Sequence, residues 1–271
     1  MTTQTAITEK FVELGHGKTR YFEAGTGYPT ILIHGAGFLS GADGWLGVMG
    51  PLAEKYRVLS IDCLNWGPGD VFDQEFSFAY LVDHVREFMD VMGIDKANIV
   101  GHSMGGWIAT LMGYESPDRI NKLVLVAAGG TATRPLQNMV EFKVPTTEAI
   151  NNQIGPRAKI ADEIGLSGDH IMQTYLDKAA APEQGEAFGK VMKHMTNPMT
   201  RPRYNTLRRL PYIHVPTLVV WGDKDATNDV SMAHELHDGI KDSKLVVFEG
   251  IGHGVPQEAP GPFVKALNEF L

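Results

Sequence analysis

Short runs of β-branched and other apolar residues recur along the chain at 31–33, 58–61, 98–100, 123–127, 217–221 and 244–248, separated by intervals long enough for helices. Each run is apolar at successive positions, which predicts strands buried on both faces, as in a parallel sheet covered by helices. Stretches at 45–55, 77–92, 103–115, 229–240 and 262–271 have the composition of amphipathic helices. Strand and helix alternate, so the expected class is α/β. The opening segment departs from this pattern: 11–14 and 19–23 flank Gly15-His16-Gly17, which predicts a hairpin and an antiparallel edge. The expectation is a mostly parallel, twisted, eight-stranded sheet flanked by helices.

The alternation stops after Gly129-Gly130 and resumes at Val215-Pro216-Thr217. Pro135, Pro145, Pro156, Pro182, Pro198, Pro202 and Pro211 punctuate the interval, so short helices between prolines are predicted. A structureless loop of that length would be out of place in a compact domain. The division expected is an α/β core over 1–130 and 215–271, with 131–214 forming a helical cap above the C-terminal edge of the sheet, where open α/β sheets bind ligands. Met139, Met172, Met192, Met195 and Met199 fall in this cap. Methionine adapts to irregular apolar surfaces, and helix packing is its first reading here, with pocket lining second.

Composition narrows the function. The 271 residues are 43% hydrophobic and 21% charged, which suits one large globular domain and excludes fibrous or disordered chains. With 24 Lys and Arg against 32 Asp and Glu, the net charge is −8, and no basic run exceeds Arg208-Arg209, so nucleic acid is not an expected partner. Cys63 is the single cysteine and closes no intrachain disulfide; the N-terminal MTTQTAITEKF has no signal-peptide pattern. The longest apolar run, 123–128, falls far short of the about 18 residues that span a bilayer. A soluble, cytoplasmic enzyme with a small-molecule substrate and no membrane partner is expected; a homodimer is left open.

The chemistry centres on Gly101-His102-Ser103-Met104-Gly105-Gly106, between the strand at 98–100 and the helix that follows. It fits G-x-S-x-G in the strand–turn–helix context that gives the motif meaning. A tight elbow there needs nearly side-chain-free positions two before and two after Ser103, and both are Gly. The backbone N–H of Met104, at a helix N-terminus, can face a developing oxyanion. A serine hydroxyl needs a base, and the base needs an acid to hold its tautomer. His253, between Gly252 and Gly254 after the last strand, is the candidate base; the acid should follow the preceding strand, where Asp223 and Asp225 both qualify and Asp229 is a weaker third. The second oxyanion donor is expected in His34-Gly35-Ala36-Gly37-Phe38, with Ala36 first and Gly37 in reserve. His34 itself is expected to pack this loop through a ring hydrogen bond, and Asp62 to be structural.

With these residues in view, the chain resembles the α/β-hydrolase superfamily. His34-Gly35, the Gly101–Gly106 block, Trp221-Gly222-Asp223-Lys224-Asp225 and Gly252-His253 match its successive signatures. In that family the acid is typically the second Asp of W-G-x-x-D, which implies Asp225. The block Asp62-Cys63-Leu64-Asn65-Trp66-Gly67 further resembles hydrolases that cleave carbon–carbon bonds in meta-ring-fission products. His102 and Gly254 stand where those enzymes commonly have Asn and Trp, and an arginine for the substrate carboxylate is open among Arg134, Arg157 and Arg201. The expectation is therefore a serine hydrolase without cofactor or metal, acting on a small ester or lactone through Ser103, His253 and Asp225, with Ala36 and Met104 as oxyanion donors. Carbon–carbon cleavage of a 2-hydroxy-6-oxo-dienoate is the alternative.

Overall fold

The protein is represented by a computed structural model that describes residues 6–132 and 141–271. Arg134, Pro135 and Met139 lie outside the described residues. Strands β1 (Thr8–Leu14) and β2 (Gly17–Ala24) form the predicted antiparallel hairpin, and β2 also pairs antiparallel with β4 (Tyr56–Ile61). β3 (Tyr28–Ile33), β4, β5 (Ala97–His102), β6 (Ile120–Val126), β7 (Thr217–Gly222) and β8 (Ser243–Phe248) run parallel. The order across the sheet is β1-β2-β4-β3-β5-β6-β7-β8. Every residue of β7 is buried, as two-sided burial predicts, whereas β8, the outermost strand, is only half-buried and leaves Val247 exposed.

The order reverses beside β3: the chain steps to β4 on one side and later to β5 on the other. Loops at such a reversal diverge and leave a crevice at the C-terminal strand ends. Register makes the ends coincide, with Ile33 opposite Gly101, His102 opposite Val126 and Val126 opposite Val220. The loops after β3, β5, β6, β7 and β8 consequently open on one rim.

Helices α1 (Leu46–Ala53), α2 (Phe78–Val91) and α3 (Met104–Glu115) fill the first crossovers, with α7 (Ser231–Gly239) and α8 (Pro260–Phe270) completing the fold. Residues 104–113 of α3 are buried without interruption, so this helix lies inside the core and not along its surface. Between β6 and β7 come α4 (Thr147–Glu163), α5 (Gly168–Ala180) and α6 (Pro182–Thr196). Pro182 opens a helix as expected, but Pro156 sits within α4, so the prolines do not all mark helix ends. A proline there deprives the carbonyl of Asn152 of its helical donor; Asn152 is exposed, so solvent can take that role. No described helix is long and apolar enough to cross a membrane.

Two buried histidines make the fold acid-sensitive. Desolvation lowers His34 to about 4 and His84, also disfavoured by nearby His16, to about 3. The unfolded chain takes up protons near pH 6.5 while the folded chain does not, so stability present at neutral pH is lost as pH falls from about 6.5 towards 4. Urea unfolding should therefore show falling stability between about pH 6.5 and 5, before most carboxylates titrate; a flat profile there would contradict the burial of these rings as neutral groups.

Candidate active site

Ser103 follows β5 and caps α3 with φ 56° and ψ −112°, a conformation that non-glycine residues hold only when their surroundings impose it. Three backbone hydrogen bonds do so. The Ser103 N–H donates to the Val126 carbonyl at 2.9 Å, and its carbonyl accepts from Trp107 at 3.1 Å and Gly129 at 2.9 Å. A methyl group at Gly101 would strike the Gly105 carbonyl, and one at Gly105 would strike the Ile33 carbonyl, so the glycines permit the close approach that the turn requires.

His253 reaches this turn from the loop after β8. Its Nδ1 lies 2.8 Å from Oδ2 of Asp225, whose other carboxylate oxygen accepts the N–H groups of Thr227 and Asn228, each at 2.8 Å. With Nδ1–H donating to the carboxylate, Nε2 is the unprotonated ring nitrogen, the form that can accept a proton. The loop is shaped from both ends: Glu258 accepts the N–H groups of Gly252 at 2.8 Å and Gly254 at 2.9 Å. Asp223 instead accepts the Gly250 N–H at 2.6 Å and lies 3.2 Å from the Lys224 ammonium, and Asp229 accepts the Ser231 N–H at the start of α7. Among the three candidate acids, Asp225 is the one joined to the imidazole.

His102, noted in the sequence only as a departure from Asn, has a definite partner. Its Nε2 lies 2.8 Å from the His253 carbonyl, and desolvation, reinforced by His253, lowers its pKa to about 4. The neutral ring therefore donates Nε2–H to that carbonyl and steadies the backbone of the candidate base.

The loop after β3 is held from beneath. The N–H of Cys63 donates to His34 Nε2 at 2.9 Å, leaving Nδ1–H to donate to the Gly35 carbonyl at 2.7 Å. The Gly37 carbonyl accepts from Trp66 Nε1 and from the Ser40 N–H, each at 2.8 Å. Gly35 is small where Ser103 approaches: a side chain there would come within 3.2 Å of the serine Cβ.

Two cavities meet at the serine. The larger, about 390 Å³, is lined by Ser103, His253 and Ala36, with apolar walls from Phe38, Phe188 and Met192. Arg157 also borders it, but this guanidinium donates to the Leu39 carbonyl at 2.6 Å and pairs with Asp43 at 3.3 Å. The smaller, about 90 Å³, shares Ala36 and Ser103 and adds Met104, Trp107, Met195 and Arg201. Met192 and Met195, assigned first to packing, thus line cavities, while Met199 is exposed.

A family model described as alpha/beta hydrolase fold matches residues 28–260. The chain is 31% identical over 277 residues to a 2-hydroxy-6-oxo-6-(2'-aminophenyl)hexa-2,4-dienoic acid hydrolase of Metapseudomonas resinovorans, covering 99% of this chain and 92% of the relative. It is 30% identical over 294 residues to a 2-hydroxy-6-oxononadienedioate/2-hydroxy-6-oxononatrienedioate hydrolase of Paraburkholderia phymatum, covering 100% and 98%. A solved serine hydrolase involved in carbazole degradation superposes with a TM-score of 0.76 at 29% identity, covering 98% of each chain.

Ser103→Ala and His253→Ala should each lower kcat by roughly 10⁴-fold or more while leaving the fold intact, since members of such a constellation act as a unit. Asp225→Asn should cost about 10³ to 10⁴, and Asp223→Asn, whose carboxylate is bonded to Gly250 and not to the imidazole, less than about tenfold. Steady-state kinetics on an activated ester with circular dichroism of each variant checks both expectations; a more harmful Asp223 substitution would refute the acid assignment.

Proposed function

Because the chain belongs to the α/β-hydrolase fold family and is a hydrolase, we propose that it cleaves small carboxylic esters or lactones through an acyl-enzyme on Ser103. The supporting observation is the Asp225–His253 pair at 2.8 Å beside a serine held in a positive-φ elbow at the meeting of two cavities. Ser103 Oγ attacks the carbonyl as its proton passes to His253 Nε2, and the Asp225 carboxylate stabilises the imidazolium. The N–H groups of Ala36 and Met104 receive the developing oxyanion. Collapse returns the proton from His253 to the departing alkoxide oxygen, and a water activated by the same ring then releases the acid. Residues 131–214 act in this reading as a cap over the nucleophile, and the remainder as the core.

The second reading is hydrolysis of a carbon–carbon bond in a 2-hydroxy-6-oxo-dienoate, and the names of the relatives at 31% and 30% identity favour it. That chemistry must protonate the substrate on carbon before a carbanion can leave. It therefore asks for additional polar groups around an anionic dienol. Here His102 is committed to the His253 carbonyl and Arg157 to Leu39 and Asp43, and position 254 is glycine, whereas Arg201, which lines the smaller cavity without a carboxylate partner among the described residues, speaks for the second reading. Ester or lactone cleavage asks only for the base, the oxyanion donors and a mostly apolar pocket.

Comparison of kcat/KM for p-nitrophenyl butyrate and for a 2-hydroxy-6-oxo-dienoate distinguishes the two, with the ester expected to be the better substrate. A dienoate value a hundredfold higher would replace the first reading by the second. A fluorophosphonate probe should label Ser103; an unlabelled, inactive protein would defeat both.

A further inference from the structure

Three histidines outside the proposed triad are linked in series: His16 in the turn between β1 and β2, His84 on α2, and His34 after β3. His84 Nε2 lies 2.9 Å from the Asp62 carbonyl, and its Nδ1 lies 2.5 Å from Nε2 of His16. A carbonyl can only accept, so His84 carries its hydrogen on Nε2. Desolvation lowers this ring to about 3 and keeps it neutral, so its bare Nδ1 accepts from His16 Nε2–H. The other nitrogen of His16, Nδ1, faces Glu87 Oε2 at 3.3 Å. Two lone pairs oppose each other there until a second proton enters the His16 ring. Solvent can deliver that proton, because the side chains of His16 and Glu87 are 15% and 35% exposed.

The inner end of the series runs through peptide groups. The Asp62 carbonyl and the Cys63 N–H belong to one peptide unit, and that N–H donates to His34 Nε2 at 2.9 Å. His34 Nδ1–H donates in turn to the Gly35 carbonyl at 2.7 Å, and the N–H of that peptide unit is the one of Ala36. Each donor in the series therefore points the same way, from the hairpin turn towards Ala36. A peptide group whose oxygen accepts a strong hydrogen bond gains charge separation, and its N–H becomes a better donor. Such chains strengthen by about 10–30% per bond. No proton travels along the series; the peptide units transmit polarisation only.

We propose that His16, His84 and His34 are positioning residues that form a directional relay to the Ala36 N–H, so that a positive charge on His16 strengthens the hold on the oxyanion formed at Ser103. The proposal rests on the serine-hydrolase reading with Ala36 as an oxyanion donor, and adds a remote modulator to it. Glu87 and His84 face His16 from α2, and Asp70, on the loop after β4, accepts the nearby Lys18 N–H at 2.9 Å. Burial lowers the pKa of His16 from its ordinary value and Glu87 opposes that shift, so the ring is neutral in alkaline solution and gains Nδ1–H on mild acidification. Asp62, Lys178 and Asp43 act on His34, whose pKa of about 4 keeps it neutral over the same range. An oxyanion exists only as the reaction proceeds, so the relay acts on kcat and not on KM.

The test follows kcat and KM for p-nitrophenyl butyrate in the parent enzyme, His16→Gln, Glu87→Gln and His16→Lys. Gln at position 16 keeps a donor for His84 without the charge, and Gln at position 87 can donate to the bare Nδ1 and hold the ring neutral. Comparing parent with variant at each pH cancels the titration of His253. In both Gln variants the parent-to-variant ratio of kcat should rise from about 1 at pH 8 to roughly 3- to 10-fold at about pH 5.5, with KM within about twofold. His16→Lys, which keeps donor and charge, should hold about a threefold advantage over the parent at pH 8. In ¹⁵N-labelled protein the Ala36 amide-proton shift should titrate with a step in the parent that both Gln variants lack. A ratio independent of pH, a loss carried by KM, or an Ala36 amide that titrates alike in parent and variants would each overturn the proposal. Failure of fluorophosphonate to label Ser103 would instead defeat the serine-hydrolase reading, and the Ala36 amide would still decide whether the relay reaches it.

Discussion

Arg20 is the charge around which the rim of the sheet is organised. It lies on β2 with no exposed surface and receives Asp62 from the end of β4, Asp43 from the turn Ala42–Trp45, and Glu9 from β1 at 3.2 Å. Burial opposes its charge, but Asp62 and Asp43 outweigh burial and hold its pKa well above the ordinary value. The same carboxylates then reach outwards. Asp62 accepts the Ala42 N–H at 2.7 Å, and Asp43 accepts the Tyr175 hydroxyl at 2.5 Å and pairs with Arg157. Strand ends, the loop after β3 and two helices of the segment between β6 and β7 are bound through one guanidinium. Removing one member of such a cluster would strand the others in low dielectric, which commonly costs about 3–5 kcal/mol.

That cluster matters to the chemistry because catalytic groups come from loops, and loops must be positioned. Ser103 carries its own constraints in the strained elbow, but Ala36 belongs to a loop with no regular structure. Its placement depends on His34 and Trp66 beneath it and on the carboxylates that fix Ala42 and Asp43 downstream. Lys178 extends the same support: it donates to the Phe38 carbonyl at 3.2 Å, and burial, partly opposed by Asp62, lowers its pKa to about 7. The proposed oxyanion donor is thus held between buried charges and the nucleophile.

The parts legible in the sequence are those encoded in contiguous residues. Apolar runs mark strands, and the glycines at 101 and 105 mark the elbow because any side chain there meets a carbonyl. The choice between Asp223 and Asp225 was not decidable from neighbouring residues alone, since the two differ by one turn of loop; hydrogen bonding separates them, one joined to Gly250 and the other to His253. Arg20 was invisible as a buried hub because an arginine in a hairpin strand ordinarily faces water, and both faces of β2 are covered here. His102 could have been weighed as a donor, but its acceptor is 151 residues away. Arg157 and Arg201 stood among three candidates without rank, because their surroundings depend on how helices pack.

This separation between local and distant encoding also divides the two tasks of the site. The nucleophile, base, acid and oxyanion donors of the proposed mechanism sit on the loops at the strand ends and at the start of α3, whose positions follow from sheet register. Many of the residues that would contact the rest of a substrate, among them Arg157, Phe188, Met192, Met195 and Arg201, come from the segment between β6 and β7. That segment meets the core partly through Asp43, which binds Arg20 on one side and Tyr175 and Arg157 on the other. Asp43 therefore couples the frame that holds the chemistry to the helices that shape the cavity. Substitutions on the outer helices can alter substrate choice while the elbow stays intact, whereas a change at Asp43 would disturb both together.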